Sequence, residues 1–135
     1  MRRVTTGEST PEVRPVLALL RAARLATESL ADATADAGLS VDQWLTLELL
    51  VRHRDSGLSM SDLRALTGMA GATLTRTVDR LITDALAHRE VDSFDRRRVL
   101  VHVSAAGAEL HASTVSGIDA AEAAFGEIMA PGVSS

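Results

Sequence analysis

Between residues 71 and 107 the apolar spacing changes twice, and this limits the fold more than any other feature of the chain. Over 71–85, Leu74, Val78, Leu81, Ile82 and Ala85 fall in one arc at helical spacing, whereas Thr73, Arg76, Asp79 and Arg80 fall on the other side. Leu86–Asp92 and Arg98–Val103 then read as β-prone runs. They flank Ser93-Phe94-Asp95-Arg96-Arg97, a hairpin with an arginine-rich tip. Ser104 returns the chain to helical spacing and caps an alanine-rich stretch running to about 129, with Leu110, Val115, Ile118, Phe125 and Ile128 along it. Gly117 and Gly126 weaken that helix and are expected to mark a bend or break.

The core must be aliphatic, because the aromatic residues are Trp44, Phe94 and Phe125 alone. Leu, Val, Ile and Ala favour closely approaching helices over an aromatic-rich β-sandwich. With 135 residues, 46% apolar and 24% charged, the chain has the size of one domain and enough apolar mass to fold. Cysteine is absent, which excludes disulfides, thiolate metal sites and a cysteine nucleophile. No apolar run reaches the roughly 18–20 residues of a membrane span. Two arginines near the start are followed by no apolar segment, unlike a secretion signal. A cytoplasmic protein is the expectation.

Upstream, 11–37 is helical in pattern, with Pro11 near a first turn and Gly38 as a stop. Leu17, Leu20, Leu25 and Leu30 recur among alanines, so apolar residues cover more than one face. A partner chain would supply the missing cover. Ser40-Val41-Asp42-Gln43 has capping-box spacing and opens a nearly all-apolar helix that ends near His53. Ser59 and Asp62 open a further short helix, with Leu58 and Leu63 placed for a hydrophobic staple and Gly68 as its end.

The net charge of −4 hides a gradient. Residues 52–102 hold nine Arg against seven acids; 103–135 hold four acids and no Arg. All 14 basic residues of the chain are Arg, and the positive charge peaks at Arg96-Arg97-Arg98. A solvated turn, and a surface helix with an Arg76–Asp79 pair, would explain hairpin and helix separately. Together they have the order of a winged helix-turn-helix: one helix enters the major groove while the adjoining hairpin extends an arginine to the minor groove or its phosphates. The domain reading is a tail at 1–10, helical regions at 11–37 and 104–129, a DNA-binding lobe at 40–103 and a frayed end at 130–135.

Leu74-Thr75-Arg76-Thr77-Val78-Asp79-Arg80-Leu81 is similar to the recognition helix of the MarR family of winged-helix regulators. Asp95-Arg96-Arg97-Arg98, then Val99-Leu100-Val101 and Val103-Ser104-Ala105-Ala106-Gly107, resembles that family's wing and the start of its next helix. The resemblance implies a mainly α protein with a β-hairpin wing, whose terminal helices form a homodimer. It implies a transcription regulator, a repressor, that binds a pseudo-palindromic duplex and is released by a small molecule. Thr73, Thr75, Arg76 and Arg80 would belong to the groove-facing helix. Arg97 would enter the minor groove, with Arg96 and Arg98 beside it and Asp95 orienting the wing. An effector would lie between the dimer helices and the DNA-binding lobe, with Trp44 and His53 as candidates. Ala70, Gly71 and Ala72 depart from the hydroxyl and polar residues usual at this helix start, and Ala85 stands where Gly usually closes the helix.

No convergent nucleophile, acid and base suggests an enzyme, and no cofactor is implied. His53, His88, His102 and His111 lie on four separate elements without a ligand-pair spacing, so no metal site is assigned. Two alternatives stand beside DNA binding: a winged-helix module that meets an acidic protein, and a metal-responsive regulator that uses these histidines.

Overall fold

The computed structural model describes residues 14–129, with side chains to residue 126. The expected tails at 1–10 and 130–135, and the role given to Pro11, lie outside the described residues. In chain order the elements are α1 (Pro15–Asp36), α2 (Val41–Arg52), β1 (Leu58–Ser59), α3 (Met60–Thr67), α4 (Gly71–Thr83), β2 (Ala87–Val91), β3 (Val99–Val103) and α5 (Ala105–Met129).

Local chemistry sets most of these boundaries. Pro15 occupies the first turn of α1, where its missing N–H costs nothing. Both capping boxes form. Ser40 and Gln43 exchange bonds at the start of α2, and Ser59 and Asp62 do so at the start of α3. Gly68 ends α3 in the left-handed conformation, φ 72°, which glycine adopts without steric cost. By contrast, α4 begins at Ala70 with no side-chain cap, a deficit of about 1 kcal/mol.

The apolar arc of α4 reaches the centre of the molecule. Leu74, Val78 and Leu81 are buried together with Leu47 and Leu50 of α2, Leu63 of α3 and Val101 of β3. Removing any one of these leucines to alanine leaves a cavity worth about 2–5 kcal/mol. Ala85, expected in that arc, instead lies beyond the helix end and is exposed.

The hairpin is part of a three-stranded antiparallel sheet of order β1-β3-β2. Val91 opposes Val99, His88 opposes His102, and Leu58 of β1 opposes Val101. Strand β1 was not expected from sequence. Two residues are too few for alternation to show.

Helix α5 is continuous across Gly117 and Gly126, so no break occurs. Gly117 has a different use: a Cβ there would stand 3.4 Å from Ala33 Cβ, and α1 packs chiefly on α5. The first turns of α1 are bare, with residues 14–21 all exposed. Val16, Leu17, Leu19 and Leu20 are each more than half exposed.

One junction ties α4, the hairpin and α5 together. Ser104 Oγ accepts the Gly107 N–H at 3.0 Å, capping α5, and donates to the Ala85 carbonyl at 2.7 Å. The Ser104 N–H bonds the Leu86 carbonyl at 3.0 Å. Gly107 sits against that same carbonyl, so closely that a Cβ would lie 2.1 Å from the oxygen. Ala85 has φ 62°, a left-handed conformation that costs a non-glycine residue about 1–2 kcal/mol. Ala85→Gly should therefore raise unfolding stability by about 1 kcal/mol, and Gly107→Ala should lower it by more. Urea unfolding checks both. A neutral Gly107→Ala would contradict the tight junction.

Candidate nucleic-acid interface

The outer face of α4 presents Thr75, Arg76, Asp79 and Arg80, all exposed. Thr73 is half-buried and close to Arg76, whose Nη2 lies 3.5 Å from its hydroxyl. Thr77 turns inward and donates to the Thr73 carbonyl. The Arg76–Asp79 pair considered from sequence does not form. Asp79 accepts Arg89 Nη2 of β2 at 2.7 Å instead, and Arg80 pairs with Asp84 at 3.1 Å. The Asp79–Arg89 bridge has a geometric consequence: the exposed helix face runs directly onto the hairpin face that carries Arg89 and Val91.

The hairpin tip is held by its own backbone. The Asp92 N–H bonds the Arg98 carbonyl at 2.8 Å, and the Arg98 N–H bonds the Asp95 carbonyl at 2.9 Å. Asp95 Oδ1 accepts both the backbone N–H and Nε of Arg97, at 3.1 and 3.2 Å. Those bonds from Arg97, side chain first, hold the Asp95 carboxyl below its usual pKa. The Arg97 side chain remains 92% exposed while oriented at its root, as suits a probe that must reach outward. Arg96 is exposed too. Arg98 differs: its Nη2 bonds Asp62 of α3 at 3.1 Å, so it anchors the hairpin to α3.

A separate groove of about 400 Å³ lies between α2 and α5. Trp44, Glu48 and Arg52 line one side; His111, Val115 and Ile118 line the other. Trp44 stacks on His111 at 5.6 Å, and its Nε1 is buried without a partner. Glu48 bonds Arg52 within α2 and joins the two helices through His111. Burial alone would raise the Glu48 pKa, but the bonds from His111 and Arg52 outweigh it and lower the value. His53 is absent from this lining. Its Nδ1 meets the Leu49 carbonyl at 3.0 Å, so the two residues grouped from sequence are not brought together.

The remaining histidines form a second stack, His88 on His102 at 5.5 Å, with Glu90 beside both. Among the described residues no group of three or more His, Asp or Glu is arranged to hold a metal ion. No described helix is long and apolar enough to cross a membrane.

The MarR family model matches residues 37–98, the segment from the end of α1 to the hairpin tip. The fold is that of solved MarR-type structures. A probable transcriptional regulator from Pseudomonas aeruginosa is 26% identical, with TM-score 0.72 over 83% of this chain and 82% of its own. BpsR of Bordetella bronchiseptica, described in terms of regulation of its DNA binding by 6-hydroxynicotinic acid, is 25% identical with TM-score 0.72 over 86% and 84%. MepR of S. aureus, solved with DNA, is 21% identical with TM-score 0.74 over 84% and 83%. No curated protein matches the chain.

Asp62 makes the cap of α3, and with it the attachment of Arg98, acid-sensitive. Hydrogen bonds with Ser59, then the Arg98 charge, lower the Asp62 pKa from its ordinary 3.8. Its contribution to stability is complete above that unfolded value and is lost as pH falls through the lower folded one. Asp62→Asn should therefore lose less stability than the wild type on acidification below about pH 4. Urea midpoints across a pH series measure this; equal losses would contradict a carboxylate stabilised by Ser59 and Arg98.

Proposed function

We propose, from the premise that the lobe over 37–98 is a MarR-family winged helix-turn-helix, that the chain is a homodimeric repressor released from its operator by a small molecule. The observation that carries the reading is the Asp79–Arg89 bridge, which makes the Thr/Arg face of α4 and the arginine-tipped hairpin one surface. Thr73, Thr75, Arg76 and Arg80 face the major groove, where a guanidinium forks to guanine or phosphate. Arg97 enters the adjacent minor groove, whose narrow A·T-rich form has enhanced negative potential. Arg96 lies along the backbone, and Arg98 holds the wing in place.

The exposed leucines and valine at the start of α1 support a dimer built on that helix. Each of these four side chains is already partly covered, and full burial would add roughly half of the 1.5–3 kcal/mol that burying such a side chain is worth. Two copies would place two α4 helices about one turn of DNA apart, matching a pseudo-palindrome. The groove at Trp44 supports the effector part of the reading. An unpartnered indole N–H and the Arg52 guanidinium suit a ligand with acceptor oxygens. A ligand there would sit between α2 and α5 and shift the spacing of the α4 pair.

Selection of bound duplexes from genomic fragments, followed by titration in moderate salt, tests the reading. Arg97→Ala should weaken binding and reduce the slope of log affinity against log salt by about 0.9; unchanged affinity would remove the wing. Arg80→Glu should abolish retardation of the selected duplex with the dimer intact by sedimentation. If wild-type protein retards no duplex and binds an acidic protein instead, the interaction-module alternative holds. Trp44 emission should respond to an effector that lowers duplex affinity, and silence of this reporter would move the effector site elsewhere.

A further inference from the structure

Phe94 is one of the chain's three aromatic residues, and its side chain stands 98% exposed at the hairpin tip. A single exposed ring is ordinary on a protein surface; what sets this one apart is its place at the tip of an ordered hairpin among arginines. The ring is not on a loose loop. The Phe94 N–H bonds Asp92 Oδ1 at 2.9 Å, an Asx turn closed behind it by the Asp92–Arg98 and Arg98–Asp95 backbone bonds. Both tip carboxylates are thus occupied by N–H groups of the tip itself, Asp92 with Phe94 and Asp95 with Arg97. Two and three residues further along the same tip are the exposed Arg96 and Arg97. An outward apolar ring on a tip that also carries two exposed arginines suits an anionic partner with flat apolar faces to stack on. Duplex DNA has both, and apolar wedges entering from the minor groove are a known means of opening a base step.

We propose that Phe94 is a minor-groove wedge, its ring stacking into a base step next to the position that Arg97 occupies. The inference rests on the DNA-binding reading above and adds a specificity that no hydrogen bond supplies. Pyrimidine–purine steps unstack most easily, so the chain should favour TA or CA/TG at that position in each operator flank. Opening the step also bends the duplex and brings its backbone closer to the wing arginines.

The test uses the full-length protein and a duplex recovered by selection, with 2-aminopurine placed in turn at each flank step. Wild-type binding should raise 2-aminopurine emission at one step per flank. Phe94→Ala should remove that rise and weaken binding about tenfold, with the salt slope unchanged because no charge is lost. Phe94→Trp should keep the affinity, and its added emission should be quenched on binding against the buried Trp44 background. Replacing the opened step by AA should weaken the wild type and leave Phe94→Ala unaffected. Wild-type affinity and emission in Phe94→Ala, while Arg97→Ala still weakens binding, would overturn the wedge and leave the DNA-binding reading standing. A change of oligomeric state in Phe94→Ala would also overturn it, since the ring would then belong to a protein contact. Failure of the wild type to bind any duplex would overturn both.

Discussion

Ser104 is the residue on which the geometry of the molecule turns. Its hydroxyl caps α5 and holds the Ala85 carbonyl, while its N–H holds the Leu86 carbonyl. The end of α4, both feet of the hairpin and the start of α5 therefore share one set of hydrogen bonds, closed over by the missing Cβ of Gly107. Such a joint transmits displacement. The bonds at this joint tie α5 to α4 and the wing, and packed elements tend to shift as bodies rather than deform. In the proposed dimer this joint links the proposed ligand groove at Trp44 to the proposed groove-facing helix α4. Glu48 reinforces it by tying α2 to α5 through His111.

Electrostatics divides the arginines by role. Arg89 and Arg98 are committed to Asp79 and Asp62, and each joins the hairpin to a helix. Arg97 is oriented by Asp95 but remains open to solvent. Arg76 and Arg96 meet no carboxylate among the described residues. A chain of net charge −4 can thus present a basic surface locally, which favours selective over indiscriminate attraction to nucleic acid.

What the sequence made legible was whatever is encoded locally. Ser40-Gln43, Ser59-Asp62 and Gly68 fix helix ends through neighbours three residues away, and the α4 arc shows as a period. The missing cap at Ala70 was equally plain. Contacts between distant segments left no such trace. Asp62–Arg98 and Glu48–His111 span 36 and 63 residues, and no spacing announces either. For the same reason the Arg76–Asp79 pair, plausible at helical distance, lost to Arg89 from the next element. Gly117 reads in sequence as a weak point of α5, because a glycine that weakens a helix and one that admits a neighbouring helix look alike there. Trp44 and His53 were grouped for their chemistry alone; His111, one element further on, is the residue the fold brings to Trp44.

Simultaneous contact with both grooves is the central requirement, and footprinting of one complex by two reagents measures it. Methylation of guanine N7 reads the major groove, and hydroxyl-radical cleavage reads the sugar edges of the minor groove. A continuous α4–wing surface predicts major-groove protection with minor-groove protection immediately outside it, the pair repeated about one turn away. Protection confined to a single groove, or separated protections that do not share a midpoint concentration, would contradict it.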